Sequence, residues 1–380
     1  MISKKQFQKA LWEGTLKFSG SLTSIVIVLI IIFLFSEGLG LFKKNGMEDG
    51  YTILVSNNNP IKEISPSELK NVFDLKLISW KDLGWKDEQI QVMHSIDELM
   101  EHEGEDNTYF IAQVEKDFIG DCKGMREIKV KNITLKSFFL GKEWMPTATP
   151  AAQLGIFPLI LGTLWVSLIA ILISLPLGLA VAAYLSFLAN GKMRAFLKPT
   201  IELLAAIPSV VYGFFGLVVI VPLVQRIFSL DVGESAFAGG IVLAIMALPT
   251  IITIAEDAMR STPRSMVECS LALGATRWQT IRKIIIPYSI SGITAAGVLG
   301  MGRAIGETMA ALMVTGNAAD IPTGIFDSVR TIPATIAAEL GETTAGGAHY
   351  QALFILGCVL FVITLMINLI VDLVKAKTKR

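Results

Sequence analysis

Hydrophobic residues in this chain come in long unbroken runs, not at the alternating spacing of a strand or the striped spacing of a surface helix. Six runs approach or exceed the roughly 20 residues that a helix needs to cross a bilayer: about 20–35, 154–188, 199–224, 238–254, 290–315 and 350–374. Leu41 and Phe42 extend the first run, and the intervening Ser36-Glu37-Gly38-Leu39 offers no small-x-small cleavage site, so it reads as an uncleaved first span. Pro158 and Pro176 fall in the second run, which is therefore expected to be kinked or broken. Gly, Pro, Ser and Thr are frequent in the later runs, as close helix contact and broken helices around a path require.

The polar stretches sort by charge. The N-terminal segment carries Lys4, Lys5, Lys9 and Lys17 against Glu13, and the linker 190–198 carries Lys192, Arg194 and Lys198 with no acid. Stretch 259–287 is rich in Arg and Lys, and Lys375, Lys377, Lys379 and Arg380 follow the last run. The alternate loops hold Arg226, Asp231 and Glu234, or Asp320, Asp327, Glu339 and Glu342 against Arg330. Basic short loops stay in the cytoplasm, so one topology satisfies every loop: six spans with both ends cytoplasmic. The long insertion 43–150 holds 14 Lys/Arg and 19 Asp/Glu, a net −5, and is assigned to the outside. It has strand-like pieces at 52–55, 109–114 and 127–133, the last alternating in period two, and helical pieces starting at Ser67 and Ser95. The expected fold is an all-α membrane protein with a small extracytoplasmic α+β insertion after the first helix. Its divisions are 1–42, 43–150 and 151–380.

Composition adds mainly exclusions. The 380 residues are 52% hydrophobic and 17% charged with net charge zero, which argues against nucleic-acid binding. Cys122, Cys269 and Cys358 have no metal spacing and no evident disulfide partner. No G-x-x-x-x-G-K-[ST] stretch occurs, so the chain is not expected to bind ATP or to act as an enzyme. His94 and His102 lie among acids and read as solvated surface side chains, with no metal and no cofactor expected.

Two stretches carry candidate chemistry. The first, 256–287, is polar and basic between two apolar runs. Pro263 after Ser-Thr starts a short helix, Gly274 stops it, and Trp278, Ile281 and Ile284 to Ile286 resume a helical pattern up to Pro287. This hairpin is too short and too charged to span a bilayer and is shaped to fill a groove on a partner. The second is Gly300-Met301-Gly302-Arg303-Ala304-Ile305-Gly306-Glu307-Thr308, within the fifth run. On a continuous helix Arg303 and Glu307 are spaced i,i+4 and share a face with Gly300. A charge at a span centre costs about 2.5–3.5 kcal/mol on insertion scales, and an i,i+4 pair returns only about 0.3–0.5 kcal/mol. The pair must therefore face protein or a wet path, and a guanidinium fork suits a phosphate-like oxyanion. Glu202 is expected at an interface, with Glu256 and Asp257 closing the fourth span.

The spacing Glu268-Cys269-Ser270, then Gly274, then Ile284-Ile285-Ile286-Pro287, resembles the E-A-A…G…I-x-L-P loop of importer-type ABC-transporter membrane subunits. That resemblance implies an ATPase-coupling loop carried by Glu268, Gly274, Ala275, Ile284 and Pro287. Stretches 207–213, 248–257, 273–281 and 302–308 are similar to permeases of the phosphate-specific (Pst) ABC importer. Thr308-Met309-Ala310, Thr315-Gly316-Asn317 and His349-Tyr350-Gln351-Ala352-Leu353 look like the PstC type.

The resemblance covers 154–374. It implies a membrane-embedded complex with a PstA-type permease subunit, two ATPase subunits and an extracytoplasmic phosphate-binding protein, with Arg303 and Glu307 on the substrate pathway. Within the insertion, residues 59–84 are similar to a segment of phosphate-binding proteins, but the Ser-Gly-Thr phosphate loop that follows there is missing. A docking or spacer role is expected of this domain. An importer of another oxyanion (molybdate, sulfate or phosphonate) and a membrane sensor using 43–150 are the competing readings; only about six residues follow the last span to serve as a sensor's output domain.

Overall fold

The structure is a computed structural model that describes residues 4–47, 50–101, 109–122 and 124–378. His102, Lys379 and Arg380 lie outside the described residues. The chain divides into two units: Met1–Leu135 with Pro146–Gln153 and Thr343–Cys358, and Lys136–Met145 with Leu154–Glu342 and Val359–Arg380.

In the first unit, α1 (Lys4–Gly38) is a 35-residue helix, about 50 Å long. Its C-terminal part packs on the chain's last helix: Phe33 meets Phe354 edge-on at 5.5 Å. The insertion follows as β1 (Tyr51–Ser56), β2 (Glu63–Ile64), α2 (Pro66–Phe73), β3 (Gln91–Met93), α3 (Ile96–Glu101), β4 (Phe110–Glu115), β5 (Met125–Glu127) and β6 (Lys129–Val130). Four strands form one sheet in the order β3-β4-β1-β5. β1 is antiparallel to both neighbours, with Ile53 opposite Gln113 and Val55 opposite Arg126. Both faces of β1 are covered. Ile53 and Val55 join Leu69, Trp80 and Ile128 on one side, and Leu54 joins Met93 and Phe110 on the other. Burying both faces gives this small domain a core that a one-sided sheet of its size would lack.

The segment expected as one strand at 127–133 is two. β5 ends at Glu127, and β6 leaves that sheet to pair in parallel with β2. Ile128 and Val130 are both buried, so the alternation in the sequence is real, but its two halves serve different sheets. α2 opens with a capping box between Ser65 and Glu68. His94 is exposed and its ring meets Phe73 edge-on at 5.4 Å.

The second unit runs from α4 (Leu135–Leu140) through α5 (Phe157–Ala183), α6 (Gly191–Ala206), α7 (Ser209–Phe215), α8 (Val221–Phe228) and α9 (Ala236–Arg260). It continues with α10 (Arg264–Ala272), α11 (Arg277–Thr280), α12 (Ile286–Ile305), α13 (Met309–Val314) and α14 (Ile332–Glu339). The last helix, α15 (Ala348–Thr378), gives its first turns to the first unit and the rest to the second. Widened π turns at Tyr184–Leu188, Gly216–Ile220 and Ile281–Ile285 extend α5, join α7 to α8 and join α11 to α12. Among the described residues, six helices are long and apolar enough to cross a membrane: Trp12–Lys43, Phe157–Leu188, Ser209–Phe228, Ala236–Arg260, Arg277–Ile305 and Ala348–Val371. The chain is thus an all-α membrane protein with a small α+β insertion after its first span.

α5, α9 and α12 make the centre of the second unit, where small residues let backbones approach. A Cβ on Gly240 of α9 would come within 2.4 Å of Ile169 on α5, and one on Gly300 of α12 within 2.6 Å of Ile251 on α9. At the start of α9, the Ala236 and Phe237 N–H groups donate to the Asp327 and Ile325 carbonyls, at 2.9 and 2.8 Å. Loop 315–331 thereby satisfies donors that a helix start leaves unpaired. Phe326 of that loop also closes on Phe228 and Phe237.

Two spans differ from the hydrophobic pattern. The third run, expected as one helix over 199–224, is broken. α6 already includes Pro199 and ends at Ile207, whose ψ of 127° is extended. Pro208 disfavours helical backbone in the residue before it, and that is the physical reason for the break. The fifth run, expected over 290–315, is also broken: α12 stops at Ile305 and α13 restarts at Met309.

Candidate functional site

The two breaks come together. α7 follows directly on the first and packs against α13, which follows directly on the second. A Cβ on Gly213 of α7 would lie 3.0 Å from Ala310 Cα on α13. Arg303 occupies the last turn of α12, just before the second break. Its Nη1 donates to Thr250 Oγ1 on α9 at 3.2 Å. Thr250 lies 14 residues beyond Ala236 and 10 before Arg260, about 21 and 15 Å from the two ends of that helix. Arg303 therefore sits near the middle depth of the fourth span. Irregular backbone at such depth is tolerated only where it is buried in protein or lines a cavity. Broken helices of this kind build the binding sites of many membrane transporters.

The sequence expectation that Arg303 and Glu307 share one helix face is corrected here. Gly306 closes α12, its N–H donating to the Gly302 carbonyl at 3.2 Å, and Glu307 falls in the turn before α13. Among the described residues no ion pair joins Glu307 to Arg303, and the one hydrogen bond of the guanidinium is to Thr250. A guanidinium carries five N–H donors, so most of this one's capacity is unspent among the described residues. Both side chains are half-buried.

The hairpin expected after the fourth span is present as α10, a turn at Gly274, and α11. Gly274 has φ of +84°, the left-handed region, with open space where a Cβ would point. The residue is required by its backbone angle and not by crowding. Thr276 and Gln279 form a capping box that starts α11. Glu268, Cys269, Leu271 and Gly274 are exposed, Ala275 and Ile284 are half-buried, and Leu273 and Trp278 are 89% and 64% exposed. A cleft lined by Met266, Cys269, Leu273, Ala275 and Ile284 opens along this surface. The protein thus presents apolar tips and a groove on a charged hairpin.

Hairpin and arginine lie on one rod. α11, the π turn and α12 form a continuous helix from Arg277 to Ile305, about 40 Å long. Pro287 lies two residues beyond the π turn's last residue, Ile285. A proline inside a helix lacks a donor and crowds the carbonyl four residues back, and a widened turn at that point absorbs the conflict without ending the helix. The expectation of a separate short helix ending at Pro287 gives way to this longer rod.

Sequence reasoning did not find Thr250. The available signal was Pro249, a breaker inside an apolar run, directly before the missed position.

Comparison with known proteins supplies the wider context. Residues 174–380 match the family described as "Binding-protein-dependent transport system inner membrane component". The chain is 40% identical over 262 residues to the probable ABC transporter permease protein YqgH of Bacillus subtilis, covering 69% of this chain and 84% of that one. It is 36% identical to the phosphate transport system permease protein PstC of Haemophilus influenzae (64% of this chain, 82% of that one). It is 38% identical to that of Mesorhizobium japonicum (61% and 75%).

Proposed function

The chain belongs to the family of binding-protein-dependent transport system inner membrane components, and on that premise we propose that it is the PstC-type membrane subunit of an ATP-driven importer of inorganic phosphate. The observation that carries the reading is Arg303: a guanidinium at mid-span depth, at a helix break, with most of its donors unspent among the described residues. A planar cationic fork in that setting fits a tetrahedral oxyanion. Similarity to PstC proteins supports phosphate as that anion.

In this reading the chain sits in the cytoplasmic membrane with both termini inside and residues 43–150 outside. It pairs with a PstA-type subunit, two ATPase subunits hydrolyse ATP, and an extracytoplasmic binding protein delivers phosphate. The hairpin 264–280, with Glu268, Gly274 and Ala275, docks into an ATPase, and Ile284 and Pro287 join it to the rod. When the ATPases close, the hairpin is displaced and the rod Arg277–Ile305 carries that displacement to Arg303. Glu307, across the break, limits how tightly an anion is held, because a path must release what it captures.

The test is uptake of labelled phosphate by vesicles containing the whole complex, with and without ATP and with excess sulfate, molybdate or phosphonate. ATP-dependent uptake that phosphate alone competes away is expected. Equal competition by another of these anions would reassign the substrate.

A further inference from the structure

Glu256 lies near the end of α9, five residues before the hairpin's approach begins at Ser261. Its side chain is 1% exposed, yet cations surround it. Arg194 bonds Oε1 through Nη2 at 2.7 Å and through Nε at 2.9 Å, and Lys198 reaches Oε2 at 3.2 Å. Arg260, one turn on, is 3.6 Å from Oε1, and Lys198 also reaches Asp257 at 3.6 Å. Both Arg194 and Lys198 belong to α6, which has no fully buried residue, so these ion pairs are the polar contacts that tie the first half of α6 to the end of α9. The Glu256 carbonyl also accepts from the Ser186 hydroxyl in the π turn after α5, at 3.4 Å.

A carboxylate taken out of water costs heavily unless it is fully paired, and such clusters are weak stabilisers compared with apolar contact. What this one provides is a junction between α6 and the end of α9. α6 leads through the Ile207-Pro208 break directly into α7, which packs on α13 just beyond the second break. The hairpin already reaches Arg303 along the rod Arg277–Ile305 on one side.

We propose that Glu256 is a positioning residue for coupling: it clamps α6 to the hairpin end of α9, so that ATPase-driven movement of the hairpin reaches both helix breaks at once. The rod moves Arg303, and α6 moves α7. The proposal rests on the reading of the hairpin as the ATPase-docking element.

The test uses the assembled complex. With spin labels at Met193 on α6 and Ser265 on α10, the distance between them should stay constant between the ATP-free and ATP-trapped states. Each label should shift relative to a third at Val232. Separation of Met193 from Ser265 on ATP trapping would overturn the clamp. Glu256→Gln should keep the ATPases bound and basal hydrolysis within about twofold, while losing about tenfold in binding-protein-stimulated hydrolysis, ~1.4 kcal/mol of coupling. Arg194→Gln/Lys198→Gln should lose the same, and the triple variant should be no worse, because one interaction is being removed from either side. The exchange Arg194→Lys/Lys198→Arg, which keeps the charges, should restore stimulation. Additive losses, or full stimulation in Glu256→Gln, would refute the clamp. Failure of the native complex to bind ATPase at all would refute the docking reading instead. If Glu256→Gln does not assemble, the label distances in the native background still decide.

Discussion

Arg303 is held by Thr250: its Nη1 donates to the Thr250 hydroxyl at 3.2 Å, across two helices, near the middle of the fourth span. The hydroxyl directly follows Pro249, inside α9. Thr250→Val keeps the shape and removes the acceptor. A hydrogen bond to a charged group contributes about 1.5–3 kcal/mol, so phosphate uptake should fall by roughly 10- to 150-fold at matched expression. Thr250→Ser should remain near native. Uptake by Thr250→Val equal to native would mean that the hydroxyl does not orient the guanidinium.

At Gly274 the backbone angle and not the space decides. Gly274→Ala is expected to be only moderately impaired, since a left-handed residue costs about 1–2 kcal/mol, and Gly274→Asn should be milder because Asn visits that region. Gly274→Pro should uncouple, for its φ is fixed on the wrong side and the Gly274 N–H that donates to Leu271 would be lost. Glu268→Lys and Trp278→Ala should each reduce the ATPase recovered with the complex in mild detergent. Normal recovery and normal uptake in Gly274→Pro would remove the coupling role from this turn.

The insertion's orientation can be read chemically. A cysteine at Asn58, an exposed position beyond β1, should react with an impermeant thiol reagent on intact spheroplasts once Cys122 is replaced. Cys269 on the hairpin, also exposed, should react only after lysis and serves as the internal control. The opposite pattern would invert the topology.

Loop 315–331 should show acid sensitivity. The Thr323 hydroxyl donates to Asp327 Oδ2 at 2.8 Å, and the Gly324 and Thr323 N–H groups add bonds at 2.9 and 2.6 Å. These bonds hold the Asp327 carboxyl below its ordinary value. A depressed carboxyl contributes stability above the unfolded value, about pH 3.9, and that contribution is lost as the pH falls through the lower folded value. Asp327→Asn should therefore melt below native protein at neutral pH, and the gap should narrow below about pH 4. A gap constant with pH would show that the charge is not what holds this turn.

The long runs made the six spans legible, because hydropathy reports a bilayer crossing directly. Gly274 and Pro263 marked the hairpin for a similar reason: each imposes a backbone state regardless of surroundings. The sequence misled where a run continued through a break. Residues 290–315 are apolar enough to read as one helix, and that placed Arg303 and Glu307 on a common face. What ends α12 is Gly306, whose helix cost of about 1 kcal/mol is too small to end an apolar helix without its neighbours. The partner of Arg303 was hidden because Thr250 lies 53 positions away, and only the packing of α9 on α12 brings it near. The Glu256 cluster was invisible for the same cause: two of its three cations, Arg194 and Lys198, come from a linker read as loop, which folds as α6.

The central claim is that Arg303 conducts the anion while the hairpin conveys the work of the ATPases. The most direct measurement pairs labelled phosphate uptake with binding-protein-stimulated ATP hydrolysis in Arg303→Ala and in Arg303→Ala/Glu307→Ala, reconstituted with their partner subunits. Both variants are expected to assemble and hydrolyse ATP on stimulation yet move no phosphate, with Arg303→Lys keeping part of the uptake because the charge remains and the fork is lost. Native uptake by the double variant would contradict the account and reduce both residues to structure.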